Sequence, residues 1–377
     1  MRILIVAGGY PTEKYYLNGI FEFDQAQALA KQGHEVIFAA IDLRSVRRWR
    51  HWFFESIEKN NVSIEVVNIP LGPVAPIVLH FFGLLGLKYI YRKCLKKFGK
   101  PDVIHAHFTD YAYIALQSLK KTKIPIVMTE HSSGINCINI DQKLCRTAEK
   151  VYHNVNTVIA VSNELKAKIM QEFSIKALYI PNVVDLKIFS YDSNPNKDSK
   201  FRIISVGNLI PRKRMKALIS GFASFVKFVP DSELFIYGSG PEKDNLQAQI
   251  SSLRLSDRIV LKGSCKRDII ANALKTASCF VLVSEVETFG VVLVEAMACG
   301  LPVIATKSGG PESFIHSGNG ILIPVDDEQS LLDALKKMYL TINDYNRGEI
   351  SSEVKQLFSA ESIVNQLESV YERVIYD

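Results

Sequence analysis

The sequence predicts an α/β fold of two doubly wound parallel-sheet domains facing a central cleft. Three observations carry this. Short continuous apolar runs alternate with helix-like stretches, the pattern of a parallel sheet covered on both faces. The alternation stops at a polar stretch, 190–200, and then restarts. The chain has 377 residues, too many for one ordinary core.

In the first half, "RILIVAG" (2–8) reads as a buried strand. Residues 20–36, "IFEFDQAQALAKQGHEV", place Phe23, Ala26, Leu29 and Ala30 at helical spacing, with Gly33 as the C-cap. "VIFAA" (36–40), "PDVIHAH" (101–107), "IPIVMTE" (124–130) and "VNTVIAVS" (155–162) are further strands. Residues 190–200, "SYDSNPNKDSK", carry no apolar period and read as a linker. Beyond it, "FRIISVGN" (201–208), "ELFIYGSG" (233–240), "RIVLKG" (258–263), "CFVLVS" (279–284) and "PVIATKSGG" (302–310) read as strands. Helices fit 214–228, 242–252, 267–276 and 289–299. The last stretch, 361–377, reads as a closing helix that packs back on the first domain. The domains are therefore expected at 1–190 and 199–360, with the active site between them at the carboxyl ends of strands.

Composition narrows the function. The chain is 47% hydrophobic and 22% charged, as globular proteins are, and has no low-complexity tract. Its six cysteines show no C-x-x-C pair and read as free thiols in a reducing compartment. The first apolar run is too short for a signal peptide, and 74–87, "VAPIVLHFFGLLGL", is too short to span a bilayer. A cytoplasmic protein is expected. Residues 1–190 hold 24 Lys+Arg against 16 Asp+Glu, while the remainder holds 21 against 23. The basic first half suits an anionic surface or substrate, but no nucleic-acid module is visible and no nucleic-acid partner is expected.

One segment carries the chemistry. After "CFVLVS", Glu287 falls in a strand-to-helix turn and Glu295 eight residues later, inside an apolar helix closed by Gly300 and Pro302. On one continuous helix that spacing is roughly 12 Å, too far for two acids sharing one bond. It suits two parts of one elongated ligand. Amides near Phe289, Gly290 and Val291 would lack intrahelical partners and favour an anion. A buried Glu295 would be satisfied by two vicinal hydroxyls, such as those of a ribose. The same spacing also fits a capping acid and a solvated helix residue. Lys213, in "PRKRMK", is either a solvated helix start or a cation for a ligand. His131 follows a strand end, where both structural histidines and ligand contacts occur. His105 and His107 fall on one face of a strand and read as structural or acceptor-facing, with no third metal ligand nearby in sequence. The turn "GSG" at 238–240 matches neither the dinucleotide fingerprint nor a P-loop.

"SEVETFGVVLVEAMACGLPVIATKSGG" resembles the E-x7-E region of the retaining glycosyltransferases of family 4, which have the GT-B fold. "PDVIHAH", "TEHSSG", "VIAVS", "IPNVVDLKIF", "SVGNLIPRK" and "YGSGP" resemble other stretches of that family, in order, across nearly the whole chain. The resemblance implies a role for each matched residue. Glu287 would contact the donor sugar near the reaction centre, with His131 beside that sugar. Glu295 would bind the ribose hydroxyls, and Lys213 the diphosphate. The phosphate-contact loop would include Asn208 and Arg212, and the Gly-rich turn Gly238 and Gly240. Gly19 would sit in an acceptor-side loop closing on the reaction centre. Two departures stand out. Asn208 replaces a frequent arginine, leaving Arg212 or Arg214 to compensate, and Asn182-Val183-Val184-Asp185 replaces an Asn-Gly-Val-Asp turn.

The resulting expectation is transfer of a sugar from a nucleotide-diphosphate sugar donor to a hydroxyl of a saccharide or lipid-linked acceptor, in surface polysaccharide or lipid-linked glycan synthesis. Retention of configuration follows from the resemblance. No Asp-x-Asp pair occurs in the chain, so neither a metal nor another cofactor is expected. The rivals are a sugar-nucleotide epimerase of the same fold, a dinucleotide-dependent oxidoreductase and a non-catalytic sugar-binding protein. Finally, "RSVRRWRHWFF" (44–54) and "GLKYIYRKCLKKFGK" (86–100) mix cations with aromatic and aliphatic side chains. They predict peripheral attachment of the first domain to an anionic membrane surface, on its inner face.

Overall fold

The computed structural model describes residues 1–43, 52–72, 74–193 and 200–377. The chain divides into two units, Met1–Val183 with Ala360–Asp377, and Val184–Ser359.

The strands of the first unit are β1 (Arg2–Ala7), β2 (Glu35–Asp42), β3 (Phe53–Lys59), β4 (Val62–Asn68), β5 (Val103–His107), β6 (Ile126–Glu130), β7 (Thr157–Ala160) and β8 (Leu178–Tyr179). Among the described residues they form one sheet in the order β3-β4-β2-β1-β5-β6-β7-β8. Ile3 to Ala7 are fully buried, as a strand covered on both faces requires. The described pairings are parallel except at the edge, where β3 runs antiparallel to β4. That hairpin was not expected from the sequence. Its turn is Asn60-Asn61, both at positive φ (53° and 62°), a conformation that asparagine tolerates and two-residue hairpins need.

Helices α1 (Ile20–Lys31), α2 (Pro76–Lys97), α3 (Thr109–Leu119), α4 (Gln142–Tyr152) and α5 (Asn163–Phe173) belong to this unit. The apolar stretch 74–87 thus supplies the first half of α2. The final helix, Ala360–Tyr376, buries Ile363, Val364, Leu367, Val370 and Tyr371 in the same core as Phe23 and Leu29 of α1.

The second unit contains β9 (Phe201–Val206), α6 (Met215–Phe225), β10 (Ser232–Tyr237), α7 (Lys243–Ser252), β11 (Ile259–Gly263), α8 (Arg267–Thr276) and β12 (Cys279–Leu282). It continues with α9 (Val291–Ala298), β13 (Val303–Thr306), β14 (Gly320–Ile323), α10 (Glu328–Leu340) and α11 (Arg347–Phe358). Its sheet is parallel, in the order β11-β10-β9-β12-β13-β14. Both sheets are doubly wound. The strand order reverses between β1 and β5 in one and between β9 and β12 in the other, and ligands of open α/β sheets bind outside the carboxyl ends of strands at such points.

The first unit ends at Val183, earlier than position 190. Residues 184–189 join the second unit because the Val184 N–H donates to the Phe358 carbonyl at 3.0 Å, and Phe189 is fully buried beneath the Arg267 guanidinium. Of the polar stretch 190–200, residues 194–199 lie outside the described residues, as do residues 44–51 of the basic stretch 44–54.

Candidate functional site

In the second unit, β9 and β12 send their loops out side by side. The β9 loop carries Asn208, Arg212 and Lys213, and the β12 loop carries Glu287. Lys213 Nζ donates to Glu287 Oε1 in a close ion pair, with both side chains mostly buried. A backbone bond ties the two loops, from Glu285 N–H to the Arg212 carbonyl at 2.8 Å, and another, from Glu287 N–H to the Ser308 carbonyl at 2.9 Å, ties the β12 loop to the one after β13. A mostly buried pair of this kind makes each partner costly to remove, because the other charge is left uncompensated. Arg214 is turned away into an ion pair with Asp326. Asn208 is exposed.

Gly238 and Gly240 form part of the loop wall. A Cβ on Gly238 would lie 1.8 Å from the Gly207 carbonyl oxygen, and one on Gly240 would lie 2.3 Å from that of Leu209. These glycines let the β10 loop lie directly on the β9 loop that carries Lys213, where Leu209 N–H also bonds the Ser239 carbonyl at 2.9 Å. Helix α9 begins at Val291, two residues later than its apolar pattern suggested, because Gly290 sits in the left-handed region at φ 86°. No side chain caps it. The Phe289 ring packs among Phe314 and Phe358 at centroid distances of 5.4 and 5.7 Å, so only its backbone is available to a ligand. Glu295, inside α9, is buried and accepts from Arg267 Nη2 at 3.0 Å. Arg267, at the start of α8, was not anticipated from the sequence.

In the first unit, His131 follows β6 and is held by a buried acid. Glu130 Oε1 accepts from the amides of His131 (3.0 Å) and Ser132 (2.9 Å), and Oε2 accepts from the hydroxyls of Tyr152 (2.8 Å) and Thr109. Burial raises the Glu130 pKa, and these four bonds pull it back down. The His131 ring lies on His107, with Nε2 2.9 Å from His107 Nδ1, and His107 in turn stacks on His105 at 4.6 Å. His105 continues the chain, with Nδ1 2.6 Å from the Tyr371 hydroxyl and Nε2 2.8 Å from Thr129 Oγ1. Burial lowers the pKa of all three, to about 3 for His105 and His131 and well below the ordinary value for His107. The stack is therefore neutral at physiological pH, and His131 offers hydrogen bonds rather than charge.

Gly19 caps α1 at φ 67°, and a Cβ there would lie 2.2 Å from the Gly9 carbonyl oxygen. Gly8, Gly9 and Gly19 line an open cleft of about 610 Å³ at the carboxyl ends of β1 and β5. Each unit thus concentrates candidate residues at its own switch point.

Comparison with known proteins agrees with this architecture. A family model described as Glycosyltransferase Family 4 matches residues 23–188, and one described as Glycosyl transferases group 1 matches residues 188–347. N-acetyl-alpha-D-glucosaminyl L-malate synthase of Bacillus anthracis is 29% identical over 96% of this chain and 94% of its own length. Sucrose-phosphate synthase from Thermosynechococcus elongatus shares the fold with a TM-score of 0.82 at 22% identity, covering 99% of this chain and 98% of that one. Anabaena HepE, solved in complex with UDP and glucose, has a TM-score of 0.77 at 20% identity, covering 99% of this chain and 100% of that one. With consecutive family models spanning residues 23–347 and both sheets doubly wound, the chain belongs to the family 4 glycosyltransferases of the GT-B type.

Proposed function

We propose that this glycosyltransferase moves a sugar from a nucleoside-diphosphate donor to a hydroxyl of a saccharide or lipid-linked acceptor, with retention of anomeric configuration and without a metal ion. The observation that carries the reading is the Lys213–Glu287 pair at the β9/β12 switch point. In this pair each residue faces the opposite charge of the other. An arriving diphosphate brings more negative charge than one carboxylate, so it draws the Lys213 ammonium towards itself and leaves Glu287 for the donor sugar. As the anomeric bond breaks, Lys213 and the uncapped amides at the start of α9 stabilise the departing diphosphate. Arg267 orients Glu295 for the ribose hydroxyls. His131, kept neutral by burial, offers its ring as a hydrogen-bonding partner for a sugar hydroxyl on the first unit.

The acceptor is assigned to the first unit. The UDP and glucose in the Anabaena structure support a nucleotide-sugar donor and make UDP-sugars the first to test. The test is a panel of UDP-, GDP- and ADP-sugars. One of them should raise the unfolding temperature, because a ligand of the folded state stabilises it. The same donor should support transfer in EDTA, with the product anomer matching the donor by NMR. Transfer lost in EDTA and restored by Mg²⁺ would overturn the metal-free route, and an inverted product would overturn retention.

A second feature supports peripheral attachment of the first unit to an anionic membrane surface. Ile77, Phe81, Leu85 and Tyr89 recur every fourth residue of α2, and all four are exposed. Lys88, Arg92, Lys93 and Lys96 are exposed on the same helix, and Trp52 and Phe53 on the nearby chain. Among the described residues no helix is long and apolar enough to cross a membrane. An exposed apolar run followed by cations suits an anionic interface.

A further inference from the structure

Glu22 stands in the first turn of α1, directly after the Gly19 loop, and lines the cleft of the first unit. It is only 6% exposed. Its one hydrogen-bonding partner among the described residues is its own backbone N–H. Burial of a carboxyl with so few partners is costly, so its position calls for a reason outside the fold. The surrounding cleft gives one. Gly8 and Gly9 stand in its wall, where a Cβ would lie 2.3 Å from the Tyr111 hydroxyl and 2.0 Å from Asn18 Nδ2, so the two glycines seat these polar side chains at the cleft. Asp42, Asp110 and Asp141 add carboxylates, while the basic side chains are Lys143, exposed, and His80, whose ring already contacts Asp110 at 3.1 Å. Carboxylates accept from hydroxyls and repel anions.

We propose that this cleft takes a neutral, polyhydroxylated acceptor and that Glu22 holds one of its hydroxyls. The proposal deepens the glycosyltransferase reading and rests on it, since it names the chemical class of the acceptor. It separates this chain from an enzyme whose acceptor is a dicarboxylate. An accepting sugar or polyol exchanges its hydration for carboxyl and other polar partners, whereas a dicarboxylate would meet an acidic wall. Glu22 then discriminates in favour of a hydroxyl, because an analogue lacking it leaves the buried carboxyl without its partner.

The test measures binding directly, without donor. Saturation-transfer NMR on the full chain uses methyl glycosides of glucose, galactose, mannose and N-acetylglucosamine, together with myo-inositol, against L-malate and succinate. Wild-type protein should bind at least one neutral probe and neither dicarboxylate. Glu22→Leu and Glu22→Ala should each weaken the bound probe by roughly tenfold or more, the loss expected for a hydrogen bond to an ionisable group. Both variants are measured, so that failure of one to fold leaves the other to decide. The affinity of the donor found in the nucleotide-sugar panel should be unchanged in the variant that folds. Dicarboxylate binding in preference to every neutral probe would overturn the proposal. So would silence from all neutral probes, or a Glu22 variant that binds as wild type does. Failure of the glycosyltransferase reading itself would appear elsewhere, as absence of transfer from every nucleotide-sugar.

Discussion

Replacing Glu22 by glutamine keeps the shape of a buried side chain and removes its titration. Burial, reinforced by the neighbouring Asp24 charge, raises this carboxyl from an ordinary 4.5 to about 7, while its own backbone amide opposes the rise. Between those two values the folded protein binds the proton and the unfolded chain has released it. Wild-type stability therefore falls as pH rises through this window, and the lost contribution levels off above about pH 7. A displacement of that size corresponds to about 3 kcal/mol, at 1.36 kcal/mol per unit. For a unit of some 200 residues this is roughly 6–12 °C in unfolding midpoint. The assay is thermal unfolding of both proteins by intrinsic fluorescence from about pH 4 to about pH 8, plotted as variant minus wild type. The difference should start near its minimum and climb in favour of Glu22→Gln to a plateau. A difference flat across the range would show a carboxyl that ionises as it does in water, and the account of a desolvated Glu22 would be wrong.

Three other perturbations probe the remaining assignments. Glu287→Gln should lower kcat with donor KM little changed, and Glu295→Ala should raise donor KM with kcat little changed, because a remote contact contributes equally to ground and transition states. Unaltered donor KM in Glu295→Ala would remove the ribose assignment. Replacing Lys88, Arg92 and Lys96 by serine should cut sedimentation with phosphatidylserine vesicles, at about 1 kcal/mol per cation lost, and wild-type binding should weaken as salt rises. Equal recovery of wild type with neutral and anionic vesicles would end the membrane proposal.

Much of the site was legible because it is local. A strand, a turn and an apolar helix succeed one another within 279–299, so Glu287 in the turn and Glu295 in the helix follow from sequence order. Gly290 could be singled out because a residue without a Cβ lets a ligand approach the backbone closely at a helix start. Arg267 could not. It reaches Glu295 from a different helix, 28 residues away, and nothing in "KRDII" distinguishes it from a solvated charge. In the sequence Glu130 is one more residue of a strand end, but its role as the anchor of His131 depends on Thr109 and Tyr152, from α3 and α4. The exposed stripe of α2 was hidden for another reason. Hydropathy reports that Ile77, Phe81 and Leu85 are apolar, not that they remain outside the core.

The sequence by itself determined two parallel α/β units, the residue types available at each strand end and the family. These depend on hydrophobic period, turn chemistry and motif order, all written along the chain. Only the tertiary structure decided which of those residues meet. Strand order brought the β9 and β12 loops together, so that Lys213 faces Glu287 across 74 positions. The same kind of reversal between β1 and β5 opened the cleft that Glu22 lines, a residue that helical periodicity treats as one more first-turn acid. Period records which face of an element is apolar. Convergence of side chains depends on the order in which the elements pair, and that is settled by packing over the whole sheet.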